Sequence, residues 1–313
     1  MYKRVVSNLP RLALILLLTL VSVGLPVRVA AGDALPVVAS FSILGDLTQR
    51  IGGERVQVHT LVGPGADAHV YQPTPTDAKV LSRAGLVVVN GLGFEGWIDR
   101  LIKSSGYRGK RIVASQGVNA IRQPQAHSGK HEAHDHAGGL DPHAWQDLAN
   151  ARRYVANITA ALVDADPAGK TVYQANAARL DKEIAALDGE IRSTFSALPA
   201  DRRKVVTSHD AFAYFGRAYG IRFIAPVGIS TDAEPSAGDV GAIIRQIRSE
   251  KIKAMFVENI ADPRLLERIS RESGARVGGT LYSDSLSAAG TPADSYLGMM
   301  RQNAKTLAAA LAD

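Results

Sequence analysis

Along this chain, short apolar runs alternate with stretches in which apolar side chains recur every third or fourth position. Val37, Val38 and Ala39 lie in a run over 36–41 that predicts a buried strand. Ile43, Leu44, Leu47 and Ile51 then share one helical face, ended by Gly52 and Gly53. The pattern predicts further strands at 56–62, 86–90 and 111–114, with helices at 75–84 and 97–104 between them. After Pro199 the alternation restarts, with strands at 204–208, 221–227, 254–257 and 277–281. Helices at 212–219, 240–250 and 263–273 separate these, and one at 293–312 closes the chain. Apolar strands separated by helices form parallel sheets covered on both faces. The expected fold is therefore α/β with two similar lobes. Val37-Val38-Ala39-Ser40-Phe41 and Val205-Val206-Thr207-Ser208-His209 open the two halves alike.

Three stretches depart from this rhythm. A helix is expected from Trp145 to about Asp164, and a longer one over 169–198. In the longer one Tyr173, Ala177, Leu180, Ile184, Leu187, Ile191 and Phe195 recur at spacings of three and four. About thirty helical residues span ~45 Å, enough to pass from one lobe to the other. Between 123 and 139 the periodicity stops and His127, His131, His134 and His136 accumulate beside Glu132 and Asp135, which reads as an open, His-rich loop. The expected layout is a lobe over 32–168 that includes this loop, a linker helix over 169–198, and a second lobe over 199–313.

The N-terminus alters the charge picture. Lys3, Arg4 and Arg11 precede or flank an apolar run over 12–23, and small residues follow up to Ala31. This predicts a secretory signal over 1–31, cleaved after Ala31. The run is shorter than the ~20 residues that span a bilayer, so no stable membrane anchor is expected. The formal charge of +6 falls to +2 without Lys3, Arg4, Arg11 and Arg28, which leaves no basic block suited to nucleic acid. The chain has no cysteine, which excludes disulfides, thiolate metal sites and a lipid-modified cysteine. A periplasmic, monomeric protein is expected.

Four short stretches can each present one metal ligand: Asp67-Ala68-His69, Asp141-Pro142-His143, Ser208-His209-Asp210 and Ser283-Asp284. Each lies at the end of an expected strand or the entrance to a helix, where open α/β sheets bind ligands. Taken singly, each has an ordinary alternative: Asp141 could cap a helix, Asp284 a turn, and His209 could be a hydrogen-bonded core imidazole. Together, three imidazoles and a carboxylate make a tetrahedral set for zinc. Glu258, at another strand end, could be a further ligand, an outer partner of a ligating histidine, or a salt-bridge partner. Were Asp284 not a ligand, an open zinc position with Glu258 or Asp210 as base would suit a hydrolase, although no His-Glu-x-x-His motif is present.

The motifs Gly63-Pro64-Gly65-Ala66-Asp67-Ala68-His69-Val70-Tyr71-Gln72-Pro73, Asp141-Pro142-His143-Ala144-Trp145, Ser208-His209-Asp210-Ala211-Phe212, Glu258-Asn259 and Tyr282-Ser283-Asp284 carry a resemblance. In their order and spacing the chain resembles the zinc- and manganese-binding solute-binding proteins of ABC transporters, the cluster A-I or ZnuA/TroA-like family. The resemblance implies that His69, His143, His209 and Asp284 hold the metal, that a rigid helix joins the lobes, and that cargo passes to a membrane permease. It implies zinc, because manganese members tend to carry Glu at the third position. Asp284 as fourth ligand is shared with the manganese side, so a manganese or iron carrier is the alternative. The loop histidines His127, His131, His134 and His136 could hold an auxiliary zinc or receive it from a periplasmic metallochaperone. Proton competition is expected to weaken binding below about pH 6.5, the ordinary histidine value.

Overall fold

Leu35–Phe41 forms β1 because its Val37, Val38, Ala39 and Phe41 are buried on both faces of a sheet, and Ser42–Gly52 follows as α1. The chain continues through β2 (Val56–Val62), α2 (Pro75–Leu81), β3 (Leu86–Val89), α3 (Ile98–Ser105) and β4 (Lys110–Val113). These strands make one parallel sheet in the order β2-β1-β3-β4. The helices α4 (Leu148–Ala165) and α5 (Lys170–Ser196) intervene. The second half runs β5 (Lys204–Val206), α6 (Ala213–Tyr219), β6 (Arg222–Ile224), α7 (Ala237–Glu250), β7 (Ala254–Glu258), α8 (Pro263–Ser273), β8 (Arg276–Leu281) and α9 (Tyr296–Ala312). Its sheet, also parallel, has the order β6-β5-β7-β8, the same winding as the first. The computed structural model describes Met1, 34–122 and 139–312. The expected signal segment and His127, His131, His134 and His136 lie outside the described residues.

The long helix α5 buries Tyr173, Leu180, Ile184, Leu187, Ile191 and Phe195, the face its spacing predicts. It packs on α1 and α4 of the first half and on α6 and α9 of the second. A single apolar core runs from the first sheet through α4 and α5 into the second half, and a smaller one lies between the second sheet and α7 and α8. Each CH2 so buried contributes about 0.8 kcal/mol, so the shared core holds the two halves firmly together.

Several boundaries differ from the expected ones for identifiable reasons. The helix expected from Trp145 begins as a 3-10 turn over Ala144–Gln146, and α4 starts only after Asp147, whose carboxylate caps the Ala149 amide. The strand expected over 221–227 is only three residues long, because Pro226 cannot donate a ladder hydrogen bond; His209 and Val227 form an isolated parallel bridge beyond it. β8 is not covered on both faces: it is a sheet edge, with Val277 exposed. A bridge between Arg122 and Leu140, with the Asp141 amide donating to Ile121 O, closes the base of the His-rich segment.

Candidate metal centre

His69 leaves β2 through Gly63-Pro64-Gly65, and its backbone N–H donates to Asp67 Oδ1 at 2.8 Å. Trp97 Nε1 holds the preceding carbonyl of Ala68 at 2.8 Å, and the Phe94 ring packs edge-on against the imidazole. His143 precedes the 3-10 turn, and Asp141 Oδ1 faces both its amide (2.9 Å) and its Nδ1 (2.8 Å). His209 follows β5 where the chain peels away from the sheet. Its N–H donates to Glu258 Oε1 at 2.8 Å, and Glu258 Oε2 lies 2.5 Å from its Nδ1. Asp284 lies just beyond β8, wholly buried, on a segment gripped by Trp145 Nε1 and Gln146 Nε2, which both donate to Ser283 O.

These four side chains converge. One ligand atom from each lies within 4.8 Å of all the others. Asp284 Oδ2 is 3.2 Å from His69 Nε2 and 3.1 Å from His209 Nε2, while Oδ1 is 3.5 Å from His143 Nε2. Apart from these imidazoles, no donor among the described residues reaches either oxygen of Asp284, so once the rings are deprotonated the carboxylate has none. A buried carboxylate without donors costs several kcal/mol. Lone pairs converging on one point are what a divalent cation satisfies, and the donor set fits one. Two of the three imidazoles have a carboxylate behind them, Asp141 for His143 and Glu258 for His209, which fixes Nε2 as the inward atom.

The charges are strongly coupled. Burial opposes a charged His143, but Asp284 and Asp141 outweigh it and raise its pKa to about 9. Burial likewise opposes a charged His209, and Glu258 and Asp284 together hold its pKa well above the ordinary value. Burial dominates at His69, whose pKa is lowered despite Asp284. Asp284 stays ionised: burial alone would raise its pKa, but His143 and His209 bring it well below the usual range. At His143 and His209 proton competition is therefore expected to begin above the ordinary histidine value, because the carboxylates that orient these rings also favour protons on them, whereas at His69 it is expected below that value.

The chain matches the family model "Zinc-uptake complex component A periplasmic" over residues 37–310. The chain belongs to this family. Members are metal-binding solute-binding components of ABC importers, not enzymes, and they work with a membrane permease. Similar proteins include the manganese ABC transporter substrate-binding lipoprotein PsaA of Streptococcus pneumoniae, 32% identical over 288 residues and 90% of each chain. Another is the iron ABC transporter substrate-binding lipoprotein MtsA of Streptococcus pyogenes serotype M1, 32% identical over 291 residues and 91% of each chain. Among solved structures, the periplasmic zinc binding protein TroA of Treponema pallidum superposes with a TM-score of 0.81 at 28% identity, covering 89% of this chain and 99% of that one.

Within this family member, the four expected residues His69, His143, His209 and Asp284 are the ones brought together, and Glu258 stands behind His209 rather than among them. The hydrolase alternative is set aside by the family, whose members are binding components of importers, not enzymes. The alternative in which Asp141 caps a helix fails: Asp141 faces His143, and the cap of α4 is Asp147. The Asp-Pro-His order was the available signal, since the carboxylate two residues back can reach both the amide and Nδ1. Glu258→Gln removes the charge behind His209 and is expected to weaken metal binding about 10- to 100-fold in chelator competition.

Proposed function

We propose that this chain captures zinc in the periplasm, through His69, His143, His209 and Asp284, and presents it to its ABC permease. The observation that carries the reading is the donor set: three neutral-nitrogen ligands and one carboxylate, gathered in a buried site, suit a borderline-soft tetrahedral ion better than a hard one. The absence of cysteine supports a protein free of the lipid anchor that the lipoprotein relatives carry in their names.

The second reading is a manganese or iron receptor, and the named curated relatives favour it over zinc. Asp284 also turns both oxygens inward, which would allow a fifth bond to a harder ion. Yet relatives at about this similarity are described with manganese, iron and zinc, so the chain's own donors carry more weight in our reading.

The test is metal content and competition on untagged protein lacking residues 1–31. The expected result is one tight zinc that excess manganese does not displace, lost in His209→Ala. Manganese or iron retained in preference to zinc would establish the second reading, and no tight metal would overturn both.

A further inference from the structure

The metal ligands are walled in unevenly. On one side, the segment that carries Asp284 is stitched to the first half: Gly65 N–H donates to Ser285 Oγ (2.8 Å) and Leu286 O (3.0 Å), and the Leu286 amide donates to Ser42 Oγ (3.0 Å). The positive φ of Gly65 (75°) turns its N–H toward that segment. Beneath the imidazoles, Phe41, Phe94 and Trp145 form a packed aromatic floor. On the side of the second half, by contrast, a cavity of about 510 Å3 reaches His209, with Asp67, Ser208 and Thr231 in its wall.

A polar contact spans that side between the halves. Thr231, on the segment between β6 and α7, donates from Oγ1 to Asp67 Oδ2 at 2.5 Å. The other oxygen of the same carboxylate accepts the His69 amide at 2.8 Å. Asp67 therefore ties a segment lining the cavity to the backbone of a candidate ligand. Opening the segment releases one oxygen of Asp67 and frees the carboxylate that fixes the His69 amide to move.

We infer that the Asp67–Thr231 hydrogen bond is the latch of the metal's exit path, and that Thr231 sets how fast the ion leaves. The inference rests on the metal-receptor reading above. A hydrogen bond to a charged group is among the stronger ones, so its loss should speed opening by about tenfold or more. The stitched side and the aromatic floor would be untouched.

The experiment uses the full folded chain in two measurements. In stopped-flow transfer of zinc to a chromophoric chelator, Thr231→Val is expected to release the ion about tenfold faster than wild type and to load it no more slowly. Thr231→Ser keeps the hydroxyl and is expected to retain the slow rate. In hydrogen exchange on metal-free protein, Thr231→Val is expected to lose protection over 228–236 and at the His69 amide. Wild-type release and wild-type exchange in Thr231→Val would overturn the latch. Because exchange needs no metal, a wild-type protein that holds no tight ion would refute the receptor reading without deciding the latch, which the exchange data would settle by themselves.

Discussion

Asp284→Ala is expected to abolish tight metal binding, with affinity falling roughly 30- to 5,000-fold, the range for removing one member of a buried charge pair. Asp284 is the one anionic member of the cluster, and its two oxygens reach all three imidazoles. It is fully buried, and among the described residues no donor other than the three imidazoles reaches it. Its charge therefore creates the demand for a cation, whereas each imidazole contributes only a neutral lone pair. Loss of the carboxylate leaves three dipoles in a dry cavity, too weak an attraction to strip a divalent ion of its water. The measurement is chelator competition together with thermal unfolding. At a metal concentration about a thousandfold above the wild-type Kd, wild type should gain roughly 4 kcal/mol, while the variant should gain only about 0.1 to 2 kcal/mol. A variant that keeps wild-type affinity would remove Asp284 from the site.

Metal affinity is expected to climb steeply with pH through neutrality, by about a hundredfold per pH unit between pH 6.5 and 8. The sign follows from the raised pKa values of His143, about 9, and His209, well above the ordinary value. Below those values the metal-free protein carries a proton on each ring, and a metal must displace both; each displaced proton is a factor of ten per unit. Asp284 does not add to the slope, because its lowered pKa keeps it ionised throughout. His69, with its lowered pKa, adds a third proton only in more acid solution. Calorimetry at pH 7 in two buffers of different ionisation heat should report release of about two protons per metal. An affinity that is flat between pH 6.5 and 8 would show that Asp284, Asp141 and Glu258 do not hold those protons.

The alternation of apolar runs and helical faces was enough to place the eight strands of the described residues: β1 and β3 are buried on both faces and read as continuous apolar runs, while β2, β4 and β8 carry exposed positions and were placed by the helices and turns between them. Pro263–Ser273 was legible to the residue, since Pro263 and Gly274 bracket it. Boundaries failed where side chains answer to distant partners. Trp145 and Gln146 spend their donors on Ser283, so the chain there makes a 3-10 turn instead of starting α4. β6 stops early because Pro226 has no N–H for its neighbour. The identical winding of the two sheets was only hinted at by the matched openings at Val37 and Val205, because strand order depends on crossovers that a local pattern does not encode.

The ligand types were legible because metal chemistry restricts them: with no cysteine in the chain, only imidazoles and carboxylates at strand ends could serve. What local pattern cannot hold is the relation between residues far apart along the chain. Asp284 faces His69 across 215 positions because of how the Ser285 segment docks on Gly65 and Ser42. Glu258 acquires its role behind His209 through a contact of 2.5 Å across 49 positions that no spacing rule supplies, whereas Asp141 stands two residues before the histidine it orients. The same packing decides the proton affinities: a histidine has one ordinary pKa in a sequence, but burial beside Asp284 lowers it at His69 and raises it at His143. Residue identity thus limits which ion can bind, and the fold alone sets the charge balance and the way out.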